Sequence, residues 1–197
     1  MASGGTSHAE GNGSIAAGEA SHSEGILSVA SGDYAHSEGS GTLASGVSSH
    51  AEGTTTTASG QGAHSEGTLT FATASYCHAE GIATSATTNY SHSEGITTLS
   101  SGESSHAEGD GTVSSGQASH AEGVDTTTNS NYSHSEGDGT ETNGLGSHAE
   151  GLSTVTYGNY AHSEGSGTMA GISSTVGIAS HASGLGTIAY EDYQTVM

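Results

Sequence analysis

The stretch SHAEGTTTTASGQG, residues 49–62, divides into two halves of seven. SHAEG is answered by TTASG: Ser49 matches Thr56, Ala51 matches Ala58 and Gly53 matches Gly60. The shared template is Ser/Thr, x, Ala/Ser, x, Gly, x, x. In one half the variable pair is His and Glu. In the other its first member is often apolar along the chain, as at Ile15, Val29, Leu43, Phe71, Leu99, Val113, Val155, Met169 and Ile188. Five alternating residues followed by a glycine-containing turn describe a short strand and a corner. Alternate side chains of a strand face opposite ways, so Ser49 and Ala51 share one face and His50 and Glu52 the other. A coil with only two short strands has a very narrow inside. The small residues must therefore point in and His and Glu out, and a slip of one residue would drive His into the interior. Glycine at the corners permits positive φ and close backbone approach.

The unit recurs. Histidines stand at 8, 22, 36, 50, 64, 78, 92, 106, 120, 134, 148 and 162, always 14 apart, and His181 follows after 19, so five residues are inserted before the last unit. Glu follows two residues after the first twelve histidines, and Ser183 takes that place after His181. Stacking such coils makes a solenoid in which each coil bonds mainly to its neighbours. The sequence thus predicts an all-β chain: residues 1–170 as a β-roll of twelve 14-residue repeats, and residues 171–197 as the insertion, a terminal coil and a C-terminal tail.

Composition agrees with a coil held by its backbone. Gly is 33 of 197 residues, Lys, Arg, Pro and Trp are absent, and apolar residues are 30%, against roughly 45–50% in ordinary domains. Low hydrophobicity with a formal charge of −21 would by itself read as disorder; the periodicity overrules that. With no cationic side chain there is no basic patch for phosphates, so nucleic acid is excluded as a partner. No apolar run is long enough to insert in a membrane. Cys77 is the single cysteine and occupies a slot held elsewhere by Ser or Ala, so it reads as a small filler. MASGGTSHAEG at the start carries no charged-then-apolar leader, so no signal peptide is expected.

The template Ser-x-Ala-x-Gly-x-x in 14-residue coils, seen in SHAEG and TLASG, resembles the head repeats of YadA-type trimeric autotransporter adhesins and related haemagglutinin and phage-fibre repeats. The resemblance extends over residues 1 to about 189. It implies a left-handed parallel β-roll, packed side by side as a parallel homotrimer, in a non-catalytic, stiff and elongated fibre or adhesin-head segment. The location it implies is extracellular or at the cell surface, and the partner, beyond the chain itself, a host-surface or matrix receptor. Neck, coiled-coil stalk and membrane anchor, which usually continue the family pattern, are not found, and this keeps a phage tail-fibre or spike shaft on a virion as the alternative.

The His-x-Glu array invites two further readings. Ser beside His suggests a hydrolase, but adjacent strand residues face opposite sides, and a triad is recognised by geometry. No enzyme and no cofactor is expected. His and Glu on one face are also metal ligands for Zn²⁺ or Ni²⁺, with candidates His50, Glu52, His64, Glu66, His78, Glu80, His92, Glu94, His106 and Glu108. The metal-free alternative is a structural ladder of His–Glu pairs, which includes His8, Glu10, His22, Glu24, His36, Glu38, His120, Glu122, His134, Glu136, His148, Glu150, His162 and Glu164. The face carrying His and Glu is expected to turn to the trimer axis, because the opposite face would bring the carboxylate of Glu141 into a dry interface at a cost. Held by carboxylate, the histidines are expected to titrate above their ordinary ~6.5. The melting temperature should then rise from pH 8 to pH 6.

Overall fold

The computed structural model describes residues 1–197, in two compact units, Met1–Thr97 and Thr98–Met197. Each unit is a parallel β-solenoid. In the first, long strands such as His22–Ile26, His36–Ser40, His50–Thr54 and His64–Thr68 form one sheet, and two-residue strands such as Val29–Ala30, Leu43–Ala44 and Thr57–Ala58 form a second. The second unit repeats the pattern from Leu99–Ser100 to Ile188–Ala189, and Thr195–Val196 adds a last rung beside His181–Leu185. Pairing is in register with a shift of one repeat: His50 lies beside His64, Ala51 beside Ser65, Glu52 beside Glu66 and Gly53 beside Gly67. No helix is long and apolar enough to cross a membrane.

The inside is as narrow as the sequence requires. Ala51, Ala58, Ala72, Ala79 and Ala86 are 0% exposed, and the largest fully buried side chains are threonines. A core this polar must satisfy its hydroxyls. Where the long strand reads His-Ser-Glu, the inward serine meets the hydroxyl five residues later: Ser37 with Thr42 at 2.8 Å, Ser65 with Thr70 at 2.7 Å. Where it reads His-Ala-Glu the partner is missing, and the hydroxyls of Thr56, Thr84, Thr112, Thr126 and Thr154 are buried without one. Three coils depart from this rule, the first because Ser14, after His8-Ala9-Glu10, donates to the Gly25 carbonyl at 3.0 Å. Ser135 turns instead to the Thr127 carbonyl and the Thr142 hydroxyl, and Ser163 and Thr168 stay unpaired. The Ala51→Ser/Ala79→Ser double variant should therefore restore two buried hydrogen bonds. It is expected to gain about 0.5–1.5 kcal/mol at each site, read as a higher melting temperature. An unchanged or lower value would mean that the hydroxyl pairing is not stabilising.

Corners are built from left-handed residues, and not only glycine. Leu27, Thr55 and Leu69 have φ of 56°, 56° and 58°, and Tyr34, Tyr76, Tyr90, Tyr132 and Tyr160 have φ of 57–60°. Such a conformation costs a side-chain-bearing residue roughly 1–2 kcal/mol. It is offset by stacking: the Leu69 amide donates to the Thr54 carbonyl at 3.0 Å and the Tyr76 amide to the Gln61 carbonyl at 2.8 Å. The Tyr76 ring leans over Gly62 and the Tyr160 ring over Gly146, filling space that a Cβ there would enter. Asn and Asp side chains cap the coil before them, as where Asn89 accepts from the Ser75 amide at 3.1 Å and Asn131 from the Gln117 amide at 2.9 Å. The five-residue insertion is pinched off between Gly171 and Gly177, with a bridge between Ser173 and Val176, and the register resumes with His181 beside His162.

Candidate functional face: stacked imidazoles and carboxylates

In each long strand the inward positions are small, so the alternation leaves His and Glu on the outer face. In-register stacking then converts the sequence repeat into columns. In the first unit the imidazoles of His22, His36, His50, His64, His78 and His92 stack with centroids 4.7–4.9 Å apart and planes within 15° of parallel. His106, His120, His134, His148, His162 and His181 repeat the column in the second unit at 4.8–4.9 Å. The first histidine differs: His8 meets His22 edge-on at 77°, and the His8–Glu10 pair is the most exposed.

A column of carboxylates runs beside the imidazoles, since Glu10, Glu24, Glu38, Glu52, Glu66, Glu80 and Glu94 pair in register in the first unit. Glu108, Glu122, Glu136, Glu150 and Glu164 do so in the second. Across the seam, Nε2 lies 3.4 Å from the carboxylate in His36–Glu38, 3.6 Å in His50–Glu52 and 3.9 Å in His64–Glu66. The second unit has 3.6 Å in His120–Glu122 and 3.8 Å in His148–Glu150, and Glu164 reaches His181 of the next coil at 3.4 Å. These separations exceed the usual N–H···O range of 2.7–3.2 Å. The Nε2 atoms of His22, His36, His50, His64, His78, His120, His134, His148, His162 and His181 are covered yet make no hydrogen bond. In each unit the structure thus brings the sequence-predicted ladder residues together on one face, but as like above like, with most His–Glu contacts looser than hydrogen bonds.

Titration follows from that stacking and reverses the sequence expectation. Burial, then the neighbouring imidazoles, pushes His36, His78, His134, His148 and His162 below the ordinary histidine range, against the smaller opposing pull of the glutamates. Within the carboxylate column, burial and then Glu136 and Glu164 push Glu150 up, while Glu164 is held down despite its own desolvation, by Glu150, Ser183 and the flanking histidines. For these five histidines the folded state holds protons less tightly than the unfolded chain at ~6.5. Stability is therefore full above that value and falls as pH drops below it toward the folded value. In chelator-treated protein the melting temperature is expected to fall from pH 8 to pH 5. A rise over that range would mean that the carboxylates outweigh burial and imidazole repulsion.

The glycines that close each motif also shape this face. In the first unit a shallow groove runs along the coils, lined by Glu38, Glu52, Glu66 and Glu80 and by Gly53, Gly67, Gly81 and Gly95. Its readable signal is the Gly that follows each His-x-Glu. On the opposite face Glu141 is not the isolated charge the sequence suggests: it accepts from the side-chain amides of Asn129 at 3.1 Å and Asn143 at 3.0 Å. No protein-family model matches the chain, and no curated protein matches it.

Proposed function

We propose that the chain is a non-catalytic structural segment of a fibre or adhesin head, a left-handed β-roll that works as a parallel homotrimer packed side by side. The observation that carries this reading is the row of outward imidazoles and carboxylates, each left about a third exposed and repeated coil after coil in each unit. A feature renewed in every coil suits an extended contact with a parallel copy, where each rung repeats the same exchange, as in other solenoid surfaces. It suits a catalytic centre poorly. Ser49 is 1% exposed and faces inward while His50 faces out, so the adjacent pair has no triad geometry. The His/Glu face is the one placed at the threefold axis. With Glu141 hydrogen-bonded, that choice no longer leans on the cost of the opposite face and rests on the imidazole row. The absence of Lys and Arg adds that trypsin has no site to cut, which suits an exposed appendage.

Multi-angle light scattering of the chelator-treated chain tests the assembly. The expected mass is three chains at micromolar concentration; a clean monomer contradicts the proposal. Leu43→Glu, on the short-strand face, should leave that mass unchanged. Dissociation of this variant would move the interface to the opposite side of the coil.

A further inference from the structure

We propose that the seam between the imidazole and carboxylate columns binds first-row transition-metal dications, one ion for every two coils, through His–Glu–His triads. In the second unit His106, Glu108 and His120 place one ligand atom each within 4.8 Å of one another, and so do His134, Glu136 and His148. In the first unit His78, Glu80 and His92 do the same. The inference rests on the geometry of a single chain and not on the assembly proposed above.

Three observations carry it. First, the separations across the seam are those of two ligands on one ion. Ligand bonds of about 2.0–2.2 Å in a tetrahedral site hold neighbouring donor atoms about 3.3–3.6 Å apart. The Nε2–carboxylate distances of 3.6 Å in His106–Glu108 and 3.7 Å in His134–Glu136 are close to that span and too long for hydrogen bonds. The second imidazole has to swing inward to complete the triad. It has room, because about a third of the His120 and His148 side chains is exposed. Second, a row of covered Nε2 atoms without hydrogen bonds faces the seam, and a metal ion is a partner that every one of them can take as a neutral ligand. Third, the carboxylates are stacked on carboxylates in a chain with no Lys or Arg, so a dication in the seam relieves repulsion that no permanently charged side chain offsets.

The donor set decides the kind of ion. Two imidazole nitrogens and one carboxylate oxygen suit Zn²⁺, Ni²⁺, Co²⁺ and Cu²⁺; Ca²⁺ and Mg²⁺ prefer sites built of oxygen. Stacking decides the number. Triads in successive coils share a histidine, and dications one coil apart would sit only ~4.8 Å from each other. Alternate coils are therefore filled. The non-overlapping triads His78–Glu80–His92, His106–Glu108–His120 and His134–Glu136–His148 then take one ion each.

The test uses the tag-free, chelator-treated full chain, titrated calorimetrically with Zn²⁺ and separately with Ca²⁺. Binding of at least three Zn²⁺ per chain is expected, one for each of these triads, with no Ca²⁺ binding at matched concentration. A variant with His22, His50, His78, His106, His134 and His162 replaced by Gln keeps seven histidines but no two in successive coils. It should lose nearly all Zn²⁺ binding while keeping its far-ultraviolet circular dichroism. Binding that instead falls in proportion to the remaining histidines, or Ca²⁺ binding equal to Zn²⁺, overturns the proposal. Electron paramagnetic resonance of the unaltered chain loaded with Cu²⁺ does not depend on the variant folding. Coupling to two imidazole nitrogens per ion is expected, and coupling to one overturns it. A chain that binds these ions as a monomer contradicts the trimer and leaves this inference standing; a trimer that binds none does the reverse.

Discussion

Gly39→Ala is expected to destabilise the first unit by at least ~3 kcal/mol, while Gly41→Ala, two residues away, costs only about 1 kcal/mol. Both glycines have positive φ, 112° and 67°, so conformation alone does not separate them. At Gly39 a Cβ would overlap the carbonyl oxygen of Gly53 in the next coil, and that oxygen belongs to the ladder that holds the coils together. No side-chain rotation can move it. The same overlap recurs at Gly53, Gly67 and Gly81, so a single added methyl pushes against a contact that every rung repeats. A φ of 112° also lies outside the left-handed helical well, in a region closed to residues with a side chain. At Gly41 the nearest atom to an added Cβ is the Thr55 hydroxyl at 3.8 Å. Leu27, Thr55 and Leu69 already stand in that column with φ of 56–58°. Thermal unfolding of the two variants side by side reads the difference; equal melting temperatures would contradict the coil-to-coil contact.

Ala51→Leu is the second large effect. Ala51 is fully buried between the sheets of a coil whose widest buried side chain is threonine. Overpacking an ordinary core costs about 1–3 kcal/mol, and here the walls are two backbones fixed by their own ladders, so the upper end of that range or beyond is expected. Thr54→Leu, three residues on, should be nearly neutral, because Ile26, Ile82 and Ile96 occupy the same column and are about half exposed. If the two variants melt together, the assignment of inward and outward positions is wrong.

The fold was readable where the physics is local. Ser49, Ala51, Thr56 and Ala58 have side chains small enough for a narrow coil, and their alternation with His50 and Glu52 sets the faces. The glycine after each motif marked the place of closest backbone approach. What escaped reading lies one coil away. The sequence puts His36 next to Glu38, and that neighbour suggests a raised pKa. The fold puts His36 between His22 and His50, and burial with those neighbours lowers it. Glu141 looks alone because Asn129 is twelve residues distant, yet the 14-residue coil brings the amide to its carboxylate. Nothing in the sequence around Tyr76 and Tyr160 marks them as corner residues. Their left-handed backbone is repaid by amide bonds to the preceding coil and by rings laid over Gly62 and Gly146, which no local propensity announces.

In-register parallel stacking of 14-residue coils is the claim on which the columns, the seam and the titration all depend. A double-cysteine variant, Thr54→Cys/Thr68→Cys in a Cys77→Ser background, tests it most directly, because Thr54 and Thr68 are outward-facing partners in adjacent strands. Nitroxide labels at both sites, with ~4.8 Å between the strands, should give strong dipolar broadening in the electron paramagnetic resonance spectrum, absent from each single-cysteine control. A double-labelled spectrum that equals the sum of the two single-labelled spectra would contradict the stacking register and the face built on it.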